Sequence, residues 1–236
     1  MNGGLYQNTY RTDMESTLNT NDMGTMRKMA IVAFACGILC VVFYLLHDII
    51  GAMNYPDYNF MNQAVSDLSA TDAPSFPIAS GLSSIYGICA CVCCILMCFL
   101  VKNERKDLRV GVHMFTLMQI VSAVGYSIFP LSSEGYDGSF QSFMHVYVVT
   151  IAVVLLSVSS LLVISVAGFK GGRKWISIMA IIALCLMVFG AIGTTAFPKD
   201  YFGLIERFST YSAVLFTASL GGFGLMIFGE LRKSDS

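Results

Sequence analysis

The chain alternates between long apolar runs and short polar connections. Six stretches are apolar almost throughout: 29–50, 78–101, 110–129, 143–166, 175–197 and 208–228. Each is close to the roughly 20 residues that a helix needs to cross a hydrocarbon core. A helix packed on a soluble core carries a polar stripe at its own period, and these runs mostly lack one. Within lipid the backbone must bond inside its own segment, so the runs are predicted to be helices. The pattern therefore predicts an all-α, polytopic membrane protein with six transmembrane helices. A polar tail at 1–26, without helical period, reads as flexible and precedes a transmembrane domain at 27–231; a short tail at 232–236 follows.

The connections carry their own pattern. Gly51-x-x-x-Tyr55-Pro56 closes the first run and returns as Gly125-x-x-x-Phe129-Pro130 and Gly193-x-x-x-Phe197-Pro198. Proline lacks an N–H and disfavours helix in the residue before it, so it stops an outgoing helix. The aromatic residue suits a membrane interface, and the glycine permits close helix approach. Each copy ends an odd-numbered run. The helices are thus expected as three hairpins whose connecting loops share one side. The longest loop, 51–77, holds Asp57, Asp67 and Asp72 and no Lys or Arg.

Composition adds orientation. Only 12% of residues are charged, against about 25% in soluble domains. Of the 14 Lys and Arg residues, only Lys199 and Arg207 fall on the side of the repeated loops. Basic residues collect on the cytoplasmic face, which predicts both termini cytoplasmic, these loops outward, and a place in the cell membrane. Membrane lipids are the partner this implies. No basic nucleic-acid patch, phosphate-binding loop or dinucleotide fingerprint is present, and no cofactor is indicated. The eight cysteines, including Cys89, Cys91, Cys93, Cys94 and Cys98, all lie inside the apolar runs. That placement favours packing over a disulfide framework.

Three stretches resemble one family. They are Asn62-Gln63-Ala64-Val65-Ser66-Asp67-Leu68, then Phe129-Pro130-Leu131-Ser132-Ser133-Glu134-Gly135 with His145 ten residues on, then Gly203-Leu204-Ile205-Glu206-Arg207. In this order on six spans they resemble the domain-of-unknown-function 998 family, six-helix membrane proteins of bacteria and archaea. The resemblance covers about 28–230, with Asp67 standing where many members carry Glu. It implies the six-span fold and marks these positions. It implies no reaction.

Candidate chemistry gathers on the outward side: His47, Asp48, Ser66, Asp67, His145, Glu206 and Arg207. Ionisable side chains near membrane depth are costly and prompt a functional reading. Arg207 opposes both the charge bias and the dipole of its helix, so a carboxylate should stand beside it. Asp67, Asp48 and Glu206 are the candidates. Asp67 is the expected partner, because its loop is long enough to fold back and Glu206 points away from its neighbour. Three roles follow. The first is a membrane-embedded binding or structural protein whose Arg207 pair pins the loop. The second is a hydrolase or transferase acting on a lipid-like substrate through His145 with Asp67 or Glu206, Ser66 serving as nucleophile. The third is a small-solute or ion transporter. No metal site is assigned, because His113 lies at the opposite helix end from His47 and His145, ~24 Å away.

Overall fold

The computed structural model describes residues 3–234, with side chains from 22 to 233. Six helices are long and apolar enough to cross a membrane among the described residues. They are α1 (Gly3–Met53), α2 (Phe76–Leu100), α3 (Lys106–Ile128), α4 (Phe140–Lys170), α5 (Lys174–Ala196) and α6 (Phe202–Ser234). No strand occurs among the described residues. The chain is an all-α, multi-pass membrane protein.

Most helices run past their apolar stretches by a few residues, because a helix continues at little cost once nucleated. Two boundaries change. The polar stretch expected as a separate tail continues α1 as helix from Gly3, and it contains no proline to stop it. The sixth helix begins at Phe202, which brings Glu206 and Arg207 within it. The first loop shortens to residues 54–75.

Side by side, α1 packs on α2 and α6, α2 on α3, α3 on α4, α4 on α5, and α5 on α6; α2 also reaches α6. The repeated glycines mark close approaches. A Cβ on Gly51 would lie 3.1 Å from the Leu68 side chain, one on Gly125 2.7 Å from Val149, and one on Gly193 2.5 Å from Ile205.

The interior is filled unevenly. In one half, Phe115 packs edge-on to Phe216 at 4.9 Å, among Met97, Leu161, Ile164, Leu220 and Phe223. Cys93 and Cys94 are buried there as free thiols, as packing requires. Arg173 closes this end. It bonds Glu104 through Nε at 3.0 Å and also pairs with Glu230, tying the α4–α5 turn to the α2–α3 connection and to α6. These bonds, with Glu104 first, hold the Arg173 guanidinium above its usual value. In the other half α3 buries nothing from 120 to 128, and α4 buries only Ser142 and Val149 before Ser157. That half holds the loops.

Candidate functional site

The first loop is built to lie down on the bundle. Met53 ends α1, Asn54 Nδ2 donates to the Ile50 carbonyl at 2.8 Å, and Tyr55-Pro56 prevents further helix. Asp57 turns the chain in the left-handed region at φ 59°, which aspartate tolerates better than most residues. A 3-10 turn at Ser66–Ser69 then inserts Leu68, fully buried, against Gly51. Ser75 Oγ donates to the Leu68 carbonyl at 2.7 Å. The second loop clasps the first. Asp72 accepts from Ser133 N–H at 2.7 Å and from its hydroxyl at 2.5 Å, which holds the Asp72 carboxyl below the usual aspartate range.

Arg207 is the pin, 4% exposed. Its Nε and Nη2 clamp the two oxygens of Asp48 on α1 at 2.9 and 2.7 Å. Nη2 also donates to the Tyr58 hydroxyl at 2.8 Å, and Nη1 donates to the carbonyls of Gly203, Phe60 and Gln63 at 2.9, 3.0 and 3.2 Å. The Phe60 ring covers the guanidinium at 3.8 Å. Every N–H of the fork is engaged. Tyr211 Oη donates to Asp48 at 2.9 Å and Tyr58 Oη to the Ala64 carbonyl at 2.8 Å. Burial pushes the Tyr58 hydroxyl up to about 12, with Arg207 pulling against it. Gly203 admits the loop, because a Cβ there would sit 1.9 Å from the Gln63 carbonyl oxygen.

The partner of Arg207 is therefore Asp48, and the expected pairing with Asp67 is corrected. Asp48 rides a rigid helix that faces α6. Asp67 spends its carboxylate on its own turn, accepting from Ala64 N–H at 3.0 Å. Burial lifts the Asp67 carboxyl above the ordinary value, outweighing Ala64 and Arg207. A carboxylate inside an apolar run needs a partner more than one in a loop does, and that signal pointed to Asp48. The parts played by Tyr58, Phe60 and Tyr211 left no comparable trace in the sequence.

The other expected residues separate. Ser66 is exposed and its side chain makes no hydrogen bond among the described residues. His145 lies in a widened π-helical turn of α4 at Met144–Val149; its Nδ1 bonds the Phe129 carbonyl at 2.6 Å and its ring lies tilted against Tyr126 at 4.7 Å. Neither Asp67 nor Glu206 is hydrogen-bonded to His145. No Ser–His–carboxylate chain is assembled. His47 is buried with its ring 5.8 Å from Tyr44, and neither nitrogen has a partner. Among the described residues no three His, Cys, Asp or Glu side chains group to hold a metal ion.

Glu206 turns the other way from Arg207, toward the backbone of the first loop. Its Oε2 accepts from Val65 N–H at 3.1 Å, so the loop roofs it. Below it on the same face of α6 lie Thr210 and, about three turns down, Thr217. There Gln119 Nε2 on α3 donates to Thr217 Oγ1 at 2.7 Å and forms a floor. One and two turns above Gln119 on α3 come Ala123 and Tyr126. Tyr86 of α2 stands edge-on to Tyr44 of α1 at 4.9 Å. Among the described residues only the His47 nitrogens are sealed without a partner. Glu206 Oε1, Tyr86 Oη and Gln119 Oε1 have no hydrogen-bond partner among the described residues and are not sealed from the surface.

Outside the bundle, two apolar grooves of about 490 and 520 Å³ run over α6, one ending at Asp48, Arg207 and Tyr211. With all its N–H groups engaged, Arg207 has none left for an anion there.

Comparison with known proteins closes the description. No curated protein and no solved structure matches the chain. The family described as "Protein of unknown function (DUF998)" matches residues 30–222, most of the chain and all three stretches singled out in the sequence. This six-span, loop-roofed chain belongs to the DUF998 family.

Proposed function

We propose that this is a binding protein of the cell membrane, with both termini cytoplasmic and a loop-roofed polar cleft facing outward. One observation carries the reading: two adjacent ionisable residues of α6 are treated in opposite ways. Arg207 has every N–H satisfied and fastens the loop. Glu206 has one backbone hydrogen bond, an unpaired oxygen and no cation within ion-pair distance among the described residues. An ionisable group at membrane depth without a counter-ion is the mark of a site. The widened turn that carries His145 beside the cleft supports the same reading, since such turns concentrate at functional positions. The densely packed half below Gln119 gives the cleft a bottom. This favours binding over passage.

The test is chemical. Wild-type protein and Glu206→Gln are purified in parallel, and small molecules released on denaturation are identified by mass spectrometry. A molecule enriched with the wild type and absent from the variant, at equal folded yield, is the expected result. Identical contents in the two preparations would remove Glu206 from any binding role and overturn the reading.

A further inference from the structure

We propose that the lipid-facing furrow over α6 seats one extended hydrocarbon chain of a bilayer lipid, recognised by its length and not by its headgroup. The furrow follows from the packing. α1 and α5 both lean on α6, and the face of α6 between them stays open, with Phe208 and Leu215 exposed on it. On that face Leu204, Phe208, Ser212, Leu215 and Ser219 recur at helical spacing and form one floor. Val42 and Leu45 of α1 wall one side, and Ile182 and Leu186 of α5 wall the other. The two grooves of about 490 and 520 Å³ share Leu186, Ser212 and Leu215, so they are continuous. Glu206 lines neither of them.

Surroundings and chemistry then select the occupant. All three helices are apolar enough to cross a membrane, so the furrow opens onto hydrocarbon. Left empty, its walls would lose their dispersion contacts, and an apolar space does not hold water. No hydroxyl along the floor waits for a ligand. Ser212 Oγ donates to the Ser209 carbonyl at 2.6 Å, and Ser219 Oγ donates to the Leu215 carbonyl at 2.9 Å. At the loop end Asp48, Arg207 and Tyr211 are bonded to one another. Arg207 has no N–H left there for a headgroup phosphate. A helix of a second copy would need a continuous stripe of small residues to approach closely. Leu215, 48% exposed, stands between Ser212 and Ser219 and interrupts that stripe. A flexible chain bends past it. Length completes the match. From Leu204 to Ser219 the floor runs ~22 Å along α6, beyond the ~15 Å that half of the hydrocarbon core spans. A long chain fills it, whereas a short one leaves the end at Ile38 and Ser219 empty.

The test uses the full chain, stripped of lipid in detergent. Dioleoyl phosphatidylglycerol, dioleoyl phosphatidylcholine and didecanoyl phosphatidylglycerol are added in turn. Native mass spectrometry reads retention, and thermal unfolding reads stabilisation. The expected result is one oleoyl lipid retained per chain, several-fold over the decanoyl lipid and to the same extent for both headgroups. Leu215→Trp and Ser219→Phe place bulk in the furrow from its floor, and each should lower oleoyl retention several-fold. Glu206→Gln should leave it unchanged. Should Leu215→Trp fail to fold, Ser219→Phe carries the test. Equal retention of long and short chains overturns the proposal, as does retention set by headgroup alone or wild-type retention in the folded furrow variants. A dimer that Leu215→Trp dissociates makes a second copy the occupant and overturns it too. A lipid lost in Glu206→Gln but kept in the furrow variants belongs to the cleft, which overturns this seat and leaves the binding reading standing.

Discussion

Asp48→Asn, Arg207→Gln and their combination form a thermodynamic cycle that measures the pin directly. Both side chains are nearly excluded from solvent, at 6% and 5% exposure, and they share two hydrogen bonds of 2.9 and 2.7 Å. Removing one partner of such a pair leaves the other charge buried and unmatched, which costs about 3–5 kcal/mol. For a chain of this size each kcal/mol moves Tm by roughly 2–4 °C, so each single variant should melt ~6–20 °C below the wild type. Arg207→Gln should be the worse of the two, because it also releases the carbonyls of Gly203, Phe60 and Gln63. The double variant removes both charges and should lose clearly less than the sum of the singles. Unfolding in detergent, followed by loss of the monodisperse peak after heating, reads all four corners. Asp67→Asn serves as the control. Its carboxylate bonds Ala64 and feels Arg207 only at longer range, so its coupling to Arg207→Gln should be much smaller than that of Asp48→Asn. Strict additivity of Asp48→Asn with Arg207→Gln would refute the pair, and non-additivity of Asp67→Asn in its place would restore the loop carboxylate as partner.

Gly203→Ala should detach the loop, because its Cβ would meet the Gln63 backbone oxygen at 1.9 Å; limited proteolysis within 54–75 should accelerate, and stability should fall by at least the ~1–3 kcal/mol of an overpacked site. Gly229→Ala, with nothing within 4 Å of its Cβ in the same helix, should be neutral or gain up to ~1 kcal/mol by the same unfolding assay. Burial raises the Asp67 carboxyl, so its protonated form is favoured by folding. That stability is present below the ordinary aspartate value near ~3.9 and is lost as pH rises through the folded value. Asp67→Asn should therefore gain Tm relative to wild type between pH 4 and pH 7; a gap that narrows over that range contradicts the sign. For orientation, a cysteine at Glu134 should react with an impermeant thiol reagent on intact cells and one at Ser236 should not. Reversed labelling would invert the proposed topology.

Sequence alone determined the membrane class, the six spans and the positions where helices stop. These depend on local chemistry: the length of an apolar run, the missing N–H of Pro56, Pro130 and Pro198, and the need of a backbone in lipid to bond within its own segment. It also marked Arg207 as a charge in need of a partner, because the cost of burying a lone cation does not depend on the fold. Which carboxylate answers that need was settled by tertiary structure. The rotation of α1 against α6 aims Asp48 at the guanidinium, while the turn at Ser66–Ser69 occupies Asp67 with Ala64. Likewise, nothing local says which of the neighbours Glu206 and Arg207 is fastened to α1. Their side chains leave α6 about 100° apart, and only the placement of α1 and of the loop around them gives one an ion pair with Asp48 and the other a single backbone hydrogen bond. Partner choice is a property of helix rotation and packing. It is written in no single segment.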